Sequence, residues 1–197
     1  MIVSDNGGNF ENPPAGMHNA MCYRVIDLGT HESEYQGQKN IKREVMIGWE
    51  IDEFMKDGRR FSVAGFYTAS LNEKSKLRAM LESWRGRAFT EQELKGFDLQ
   101  NIIGKPCMVN LTMNDKGKIR VASVSPLVKG MPPINLTNAT EHFSLDNFDE
   151  VMFNSLRDGL KDKIRKSPEY QQIASGNSHV AEVSHSHGDD FDDSIPF

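Results

Sequence analysis

The hydrophobic period of this chain changes twice, and that change limits the folds open to it. Up to about Tyr67 apolar residues recur mostly at every second position, the spacing of a half-buried strand. Between Glu73 and Trp84 they recur at helical spacing, and from Cys107 to Ser125 the period of two returns. A first strand is read over Gly16–Leu28. Met17, Met21, Tyr23 and Val25 share one face, and Ile26 and Leu28 suggest burial or a bulge on the other. Gly29–Asn40 reads as a polar loop carrying Tyr35, Gly37 and Lys39. A second strand, from about Lys42 to Ile51, puts Val45, Ile47, Trp49 and Ile51 on one face and Lys42, Glu44, Met46 and Glu50 on the other. Asp57-Gly58 centres a turn into a third strand, Arg60–Tyr67.

In the helix, Leu77, Met80, Leu81 and Trp84 form the apolar stripe, with Asn72 as the expected N-cap and Gly86 as the stop. Thr90 and Glu93 match a capping box for a short second helix. Lys105-Pro106 leads into a strand over Cys107–Met113, and a Lys-Gly turn within Asn114–Lys118 connects it to Ile119–Ser125. Three strands, a helix and two strands predict a mainly β fold. The expected form is a five-stranded OB-fold barrel with the helix between strands 3 and 4. An SH3-like or other small barrel is the structural alternative.

Beyond Pro126 the texture changes. Gly130–Asn138 is a Pro-containing linker, and Asp149–Lys166 reads as one amphipathic helix. Its stripe is Val151, Met152, Ser155, Leu156, Leu160 and Ile164, with Lys161, Lys163, Arg165 and Lys166 near the end the helix dipole favours for cations. Pro168 ends or restarts it. This helix caps the barrel or pairs with a second subunit. The expected division is a flexible arm over 1–14, the barrel over 15–128, linker and helix over 129–174, and a disordered acidic tail over 175–197.

Charge divides along the same line. Up to Gly130 there are 18 Lys and Arg against 16 Asp and Glu, a balance of +2. From Met131 onward there are 5 against 12, a balance of −7. A neutral to basic body carries an acidic end. No apolar run approaches the roughly 18 residues of a membrane span, and residues 1–12 lack a secretion-signal pattern, so the expected location is the cytoplasm. Cys22 and Cys107 are expected as reduced core thiols.

No catalytic motif is present: no Walker loop, no G-x-S-x-G, no paired C-x-x-C and no H-E-x-x-H. The expectation is therefore a binding protein with no cofactor. Asp52, Glu53 and Asp57 cluster near a turn, where a solvated loop is the plainer reading than a metal site. His179, His185 and His187, with Asp189 and Asp190, have ligand character but lie in the tail. The barrel instead mixes cations with aromatics, the chemistry that single-stranded DNA requires: positive charge for phosphates and rings on which bases stack. The candidate contacts are Arg24, Tyr35, Lys39, Lys42, Arg43, Arg60, Phe66, Tyr67, Lys116, Lys118 and Arg120. Trp49 is assigned to the core, and Phe66 and Tyr67, being adjacent, point to opposite faces. Arg85 and Arg87, beside Trp84, form a second basic cluster that could meet phosphate.

The final residues, Asp189, Asp190, Phe191, Asp192, Asp193, Ser194, Ile195, Pro196 and Phe197, repel one another and cannot bury themselves. They keep two aromatic rings and end on Ile-Pro-Phe, the form of a docking peptide for a basic pocket. This tip resembles the end of bacterial single-stranded DNA-binding proteins. Asn12-Pro13-Pro14-Ala15-Gly16, Arg24–Gly29, Glu82–Arg87 and Gly104–Cys107 extend the likeness to phage-type single-stranded DNA-binding proteins with an OB fold. The resemblance implies a protein that coats single strands during replication, recombination and repair. Asp189–Asp193, Ile195, Pro196 and Phe197 would recruit replication and repair enzymes. The helical stretch around Glu73–Leu99 and the helix after the barrel depart from the bacterial tetramer, so a monomer or homodimer is expected. A strand-annealing recombination factor and a protein-binding adaptor that mimics the host docking peptide are the alternatives.

Overall fold

The computed structural model describes residues 11–35 and 38–176, and only the backbone at 33–35 and 38. Its frame is a mainly β sheet of six strands among the described residues. β1 (Gly16–Tyr35), β2 (Gln38–Phe54) and β3 (Arg60–Thr68) form an antiparallel meander, and β4 (Pro106–Met113) and β5 (Ile119–Ser125) form a hairpin. The order across the sheet is β3-β2-β1-β4-β5. β1 is long enough to serve two partners on one edge. Gly16–Met21 pairs with β4, and Arg24–Ile26 pairs in parallel with the short β6, Glu141–Phe143.

Two expectations for the first hairpin are corrected. The stretch expected as a polar loop is ladder: Thr30 pairs with Arg43, and pairing continues to Tyr35 opposite Gln38. Its backbone hydrogen bonds close without an apolar face, so hydrophobic periodicity carries no trace of it. The inward face of β1 also differs. The register slips between Cys22 and Arg24, so Ala20 and Cys22 precede Val25 in the core while Met17 is 54% exposed. A bulge switches which parity faces inward.

The core on this side is built as expected from β2. Val45, Ile47, Trp49 and Ile51 pack with Leu77, Met80, Leu81 and Trp84 of α1 (Lys76–Arg85). Trp49 and Trp84 meet at 6.0 Å. Ser75, not Asn72, caps α1, accepting from Leu77 N, and Gly86 ends it at φ 67°. The capping box at Thr90 and Glu93 is formed on α2 (Glu91–Lys95), and a 3-10 turn at Leu99–Ile102 leads to β4. Cys22 and Cys107 are buried free thiols, and burial pushes the Cys22 thiol up to about 12. No helix among the described residues is long and apolar enough to cross a membrane.

The sheet has a second core on its other face. Ile26, Leu28 and Met46 pack against Phe143, Leu145, Phe153, Leu156 and Ile164. The expected single helix is broken into α3 (Glu150–Ser155) and α4 (Asp158–Arg165) by extended backbone at Leu156 and Arg157. Val151, assigned to the stripe, is 82% exposed, and Phe153 is buried instead. The break lets Leu156 turn into the sheet while α4 starts in a new direction. Pro168 restarts the chain as the first residue of α5 (Pro168–Ala174), capped by Ser167.

Candidate functional site

β3 and β5 are the two free edges of the main path of the sheet, and the space between them is a groove. It comprises two adjoining depressions of about 510 and 680 Å³ that share Ala64 and Lys118–Val121, each in the size range of ligand clefts. Asn12 and Pro13 stand at one end, and Lys76, Ala79 and Ser83 of α1 border the other. The Ser83 hydroxyl donates to the Val124 carbonyl at 2.7 Å, which fixes α1 against β5.

The groove is basic. Lys76, Lys118 and Arg120 line it, no carboxylate does, and none of the three has an ion pair among the described residues. Alternation along β3 supplies two rings of different character. Phe66 is 58% exposed, while Tyr67 packs against the main core. Tyr67 folds back over Gly65, where a Cβ would lie 2.6 Å from its hydroxyl. Burial pushes the phenol up to about 12, so the ring stays neutral beside the groove.

The structure thus brings Phe66, Tyr67, Lys118 and Arg120 together out of the sequence candidates, with Lys116 in the exposed β4–β5 turn nearby. Arg24 and Arg60 line a third depression of about 570 Å³, which meets the groove at Pro13 and Ser62 and also holds Arg59 and Arg157. Arg24 lies across Gly48, stacks on Tyr23 at 4.9 Å and reaches Glu141 at 3.5 Å. Arg60 lies over Phe54 at 4.5 Å. Lys39 pairs with Glu32 at 2.6 Å, and Lys42 stands exposed on the β1–β2 ribbon. The side chain of Tyr35 lies outside the described residues, as do Asp189–Phe197.

Arg43 sits apart from the groove. It pairs with Asp27 and, at 2.9 Å, with Asp146, and these hydrogen bonds raise its pKa. Asp27 also accepts from Leu145 N and Gly29 N at 3.0 Å each. This network joins the second core to β1.

The basic cluster after Trp84 is structural rather than open to phosphate. Arg85 is 1% exposed, paired with Glu93, and stacked on Phe89 at 4.6 Å and Phe97 at 5.3 Å. Arg87 also binds Glu93, at 2.9 Å. Hydrogen bonds from Arg87 lead the causes that hold the Glu93 carboxyl down at about 2. The stability contributed by this charge is present above the ordinary carboxylate range near 4.5 and is lost as pH falls toward 2. Glu93→Gln should therefore lower the urea midpoint at pH 7, with the gap to wild type closing between about pH 5 and pH 2. A gap that stays constant across that range would remove Glu93 from the linkage.

Sequence reasoning missed Lys76. A signal was available: it precedes the buried Leu77, and Lys76, Ala79 and Ser83 share the helical spacing of the opposite face. Pro13 was assigned to a loose arm, yet it is buried and borders the 510 and 570 Å³ depressions. No family model matches the chain, and no curated protein matches it.

Proposed function

We propose that the protein binds single-stranded DNA without sequence preference, through the groove between β3 and β5, in DNA replication, recombination and repair. The observation that carries this reading is the coincidence of Lys76, Lys118 and Arg120 with the exposed Phe66 in one carboxylate-free groove. Phosphates supply the salt-sensitive part of such binding, and stacking on an exposed ring tolerates any base. The reading includes OB topology. β3 and β5 are the edges that would close the sheet into a barrel, and α1 lies between β3 and β4 in the chain. The protein acts stoichiometrically in the cytoplasm, as a monomer or homodimer and without catalysis, and the resemblance implies a phage origin.

The test is anisotropy of labelled oligo-dT, oligo-dA and an equal-length duplex, each over a salt series. Both Trp49 and Trp84 are buried, which makes a label on the DNA the better reporter. Both single strands should bind and the duplex should not. Lys118→Ala combined with Arg120→Ala should flatten the slope of log K against log salt by about 1.4, at roughly 0.7 per phosphate. Phe66→Ala should weaken binding by about 1–3 kcal/mol. Equal affinity for duplex, or variants that bind like wild type, would sink the reading. The tip, Asp189–Phe197, takes the role of recruiting replication and repair enzymes. Its removal should abolish capture of those enzymes by the DNA-bound protein and leave DNA binding in place; retained capture would reassign that role.

A further inference from the structure

His18, Asp52 and Glu53 offer three ligand atoms that all lie within 4.8 Å of one another. His18 precedes the pairing of Ala20 with Ile51 by two residues, and Glu53 follows it by two, so the antiparallel ladder brings them to one row. Neighbouring residues of a regular strand face opposite ways. Here the β2–β3 register is irregular between Glu50 and Phe54, and both carboxylates reach the same imidazole. His18 Nδ1 is 3.9 Å from Asp52 Oδ1 and 3.8 Å from Glu53 Oε1.

The imidazole is oriented by its other nitrogen. His18 is 6% exposed, and its Nε2 lies 2.9 Å from the Pro14 carbonyl. A carbonyl only accepts, so Nε2 donates to it, and Nδ1 is the ring atom left facing the two carboxylates. Three ligand atoms from two strands thus converge on one point. A backbone carbonyl that fixes the ring through its second N–H is the usual support of a metal-bound histidine.

We propose that His18, Asp52 and Glu53 bind a divalent transition cation of the zinc type. The imidazole is a borderline ligand that favours zinc over magnesium, and zinc also accepts the two carboxylate oxygens. Three protein ligands leave a fourth, solvent-facing position. Asp52 and Glu53 side chains are 43% and 47% exposed, so they have freedom to close from 3.8–3.9 Å at the imidazole, and from within 4.8 Å of each other, to the ~3.4 Å edge of a tetrahedral site with ~2.1 Å bonds. The ion would clip the start of β1 to the end of β2. Through the His18–Pro14 bond it would also hold the segment that places Pro13 at the groove. The proposal does not depend on DNA binding.

Zinc titration by calorimetry, with zinc-dependent melting as the second readout, tests it on the full chain. The tail carries His179, His185 and His187, so a triple His→Asn variant at those positions serves as the reference. The reference should keep one zinc site and a zinc-dependent rise in melting temperature. His18→Asn should weaken that site at least about 10-fold. Asp52→Asn with Glu53→Gln, which leaves the buried ring in place, should weaken it similarly and abolish the thermal shift. Magnesium at the same concentrations should produce no shift. No zinc bound by the reference, or an isotherm unchanged by the carboxylate substitutions, would overturn the proposal.

Discussion

Gly29→Ala should loosen the C-terminal helices from the sheet and lower the stability of the whole protein by about 2–5 kcal/mol. Two costs combine. Gly29 has φ 77°, in the left-handed region, where a side chain costs about 1–2 kcal/mol. A Cβ there would also lie 2.5 Å from Ser167 Oγ and 3.0 Å from Leu145 Cδ1. Overpacking of this kind costs roughly 1–3 kcal/mol. Ser167 has little room to yield, because it is fully buried and caps α5 by accepting from Tyr170 N at 3.2 Å. Displacing it would strain the neighbouring contact in which Thr30 N donates to Glu169 at 3.0 Å. Urea unfolding would read the global loss, and hydrogen exchange over 158–176 would read the local one. Wild-type protection and an unchanged midpoint would show that the close approach at Gly29 does not hold the helices in place.

Glu50→Gln should be the most damaging isosteric change in the protein. Glu50 is fully buried on the outer face of β2. Its Oε2 accepts from Thr137 N at 2.9 Å and Thr137 Oγ1 at 3.0 Å. Its Oε1 accepts from Asn138 N at 2.6 Å and from the Asn138 side-chain amide. Four donors suit a group that only accepts. Glutamine keeps the shape but turns an NH2 toward two of them, so no cavity forms and the change isolates the hydrogen bonding. Leaving buried donors unpaired costs about 1–3 kcal/mol each. A net loss of about 2–4 kcal/mol is expected, and a fall in melting temperature of roughly 5–15 °C for a chain of this size. Faster exchange at Thr137 and Asn138 should accompany it. A variant that melts with wild type would mean that the 137–138 segment is held by its other contacts.

Both substitutions act where the segment after β5 meets the sheet, and neither position stands out in the sequence. Glu50 was assigned correctly to the face opposite Trp49, along with Met46, but nothing in that assignment indicated a cover. It is the floor of the second core. Leu28 and Ile26 carried the one hint, since apolar residues on both parities of a strand imply two covered faces. What covers the second face is more than 100 residues after Ile26 and Leu28, in Phe143, Phe153 and Ile164, and no local pattern links them.

The candidate site divides in the same way. Phe66 and Tyr67 were separable by alternation alone, and the β4–β5 hairpin was readable from its turn, so Lys118 and Arg120 were placed on the right element. That β3 and β5 end side by side, with Lys76 beside them, is a property of sheet order. Arg85 looked like an open cation by composition and is instead enclosed by Phe89, Phe97 and Glu93.

By itself the sequence determined β3, β4, β5, the apolar parts of β1 and β2, α1, the capped α2 and the inward face of β2, because each follows from residue spacing within one element. Only the tertiary structure decided the partners of β1's two edges, the second core, which cations are paired and which stay open, and the meeting of His18 with Asp52 and Glu53. Those depend on the register of strands distant in the chain, and on bulges at Tyr23 and before Phe54 that reverse facing without altering composition.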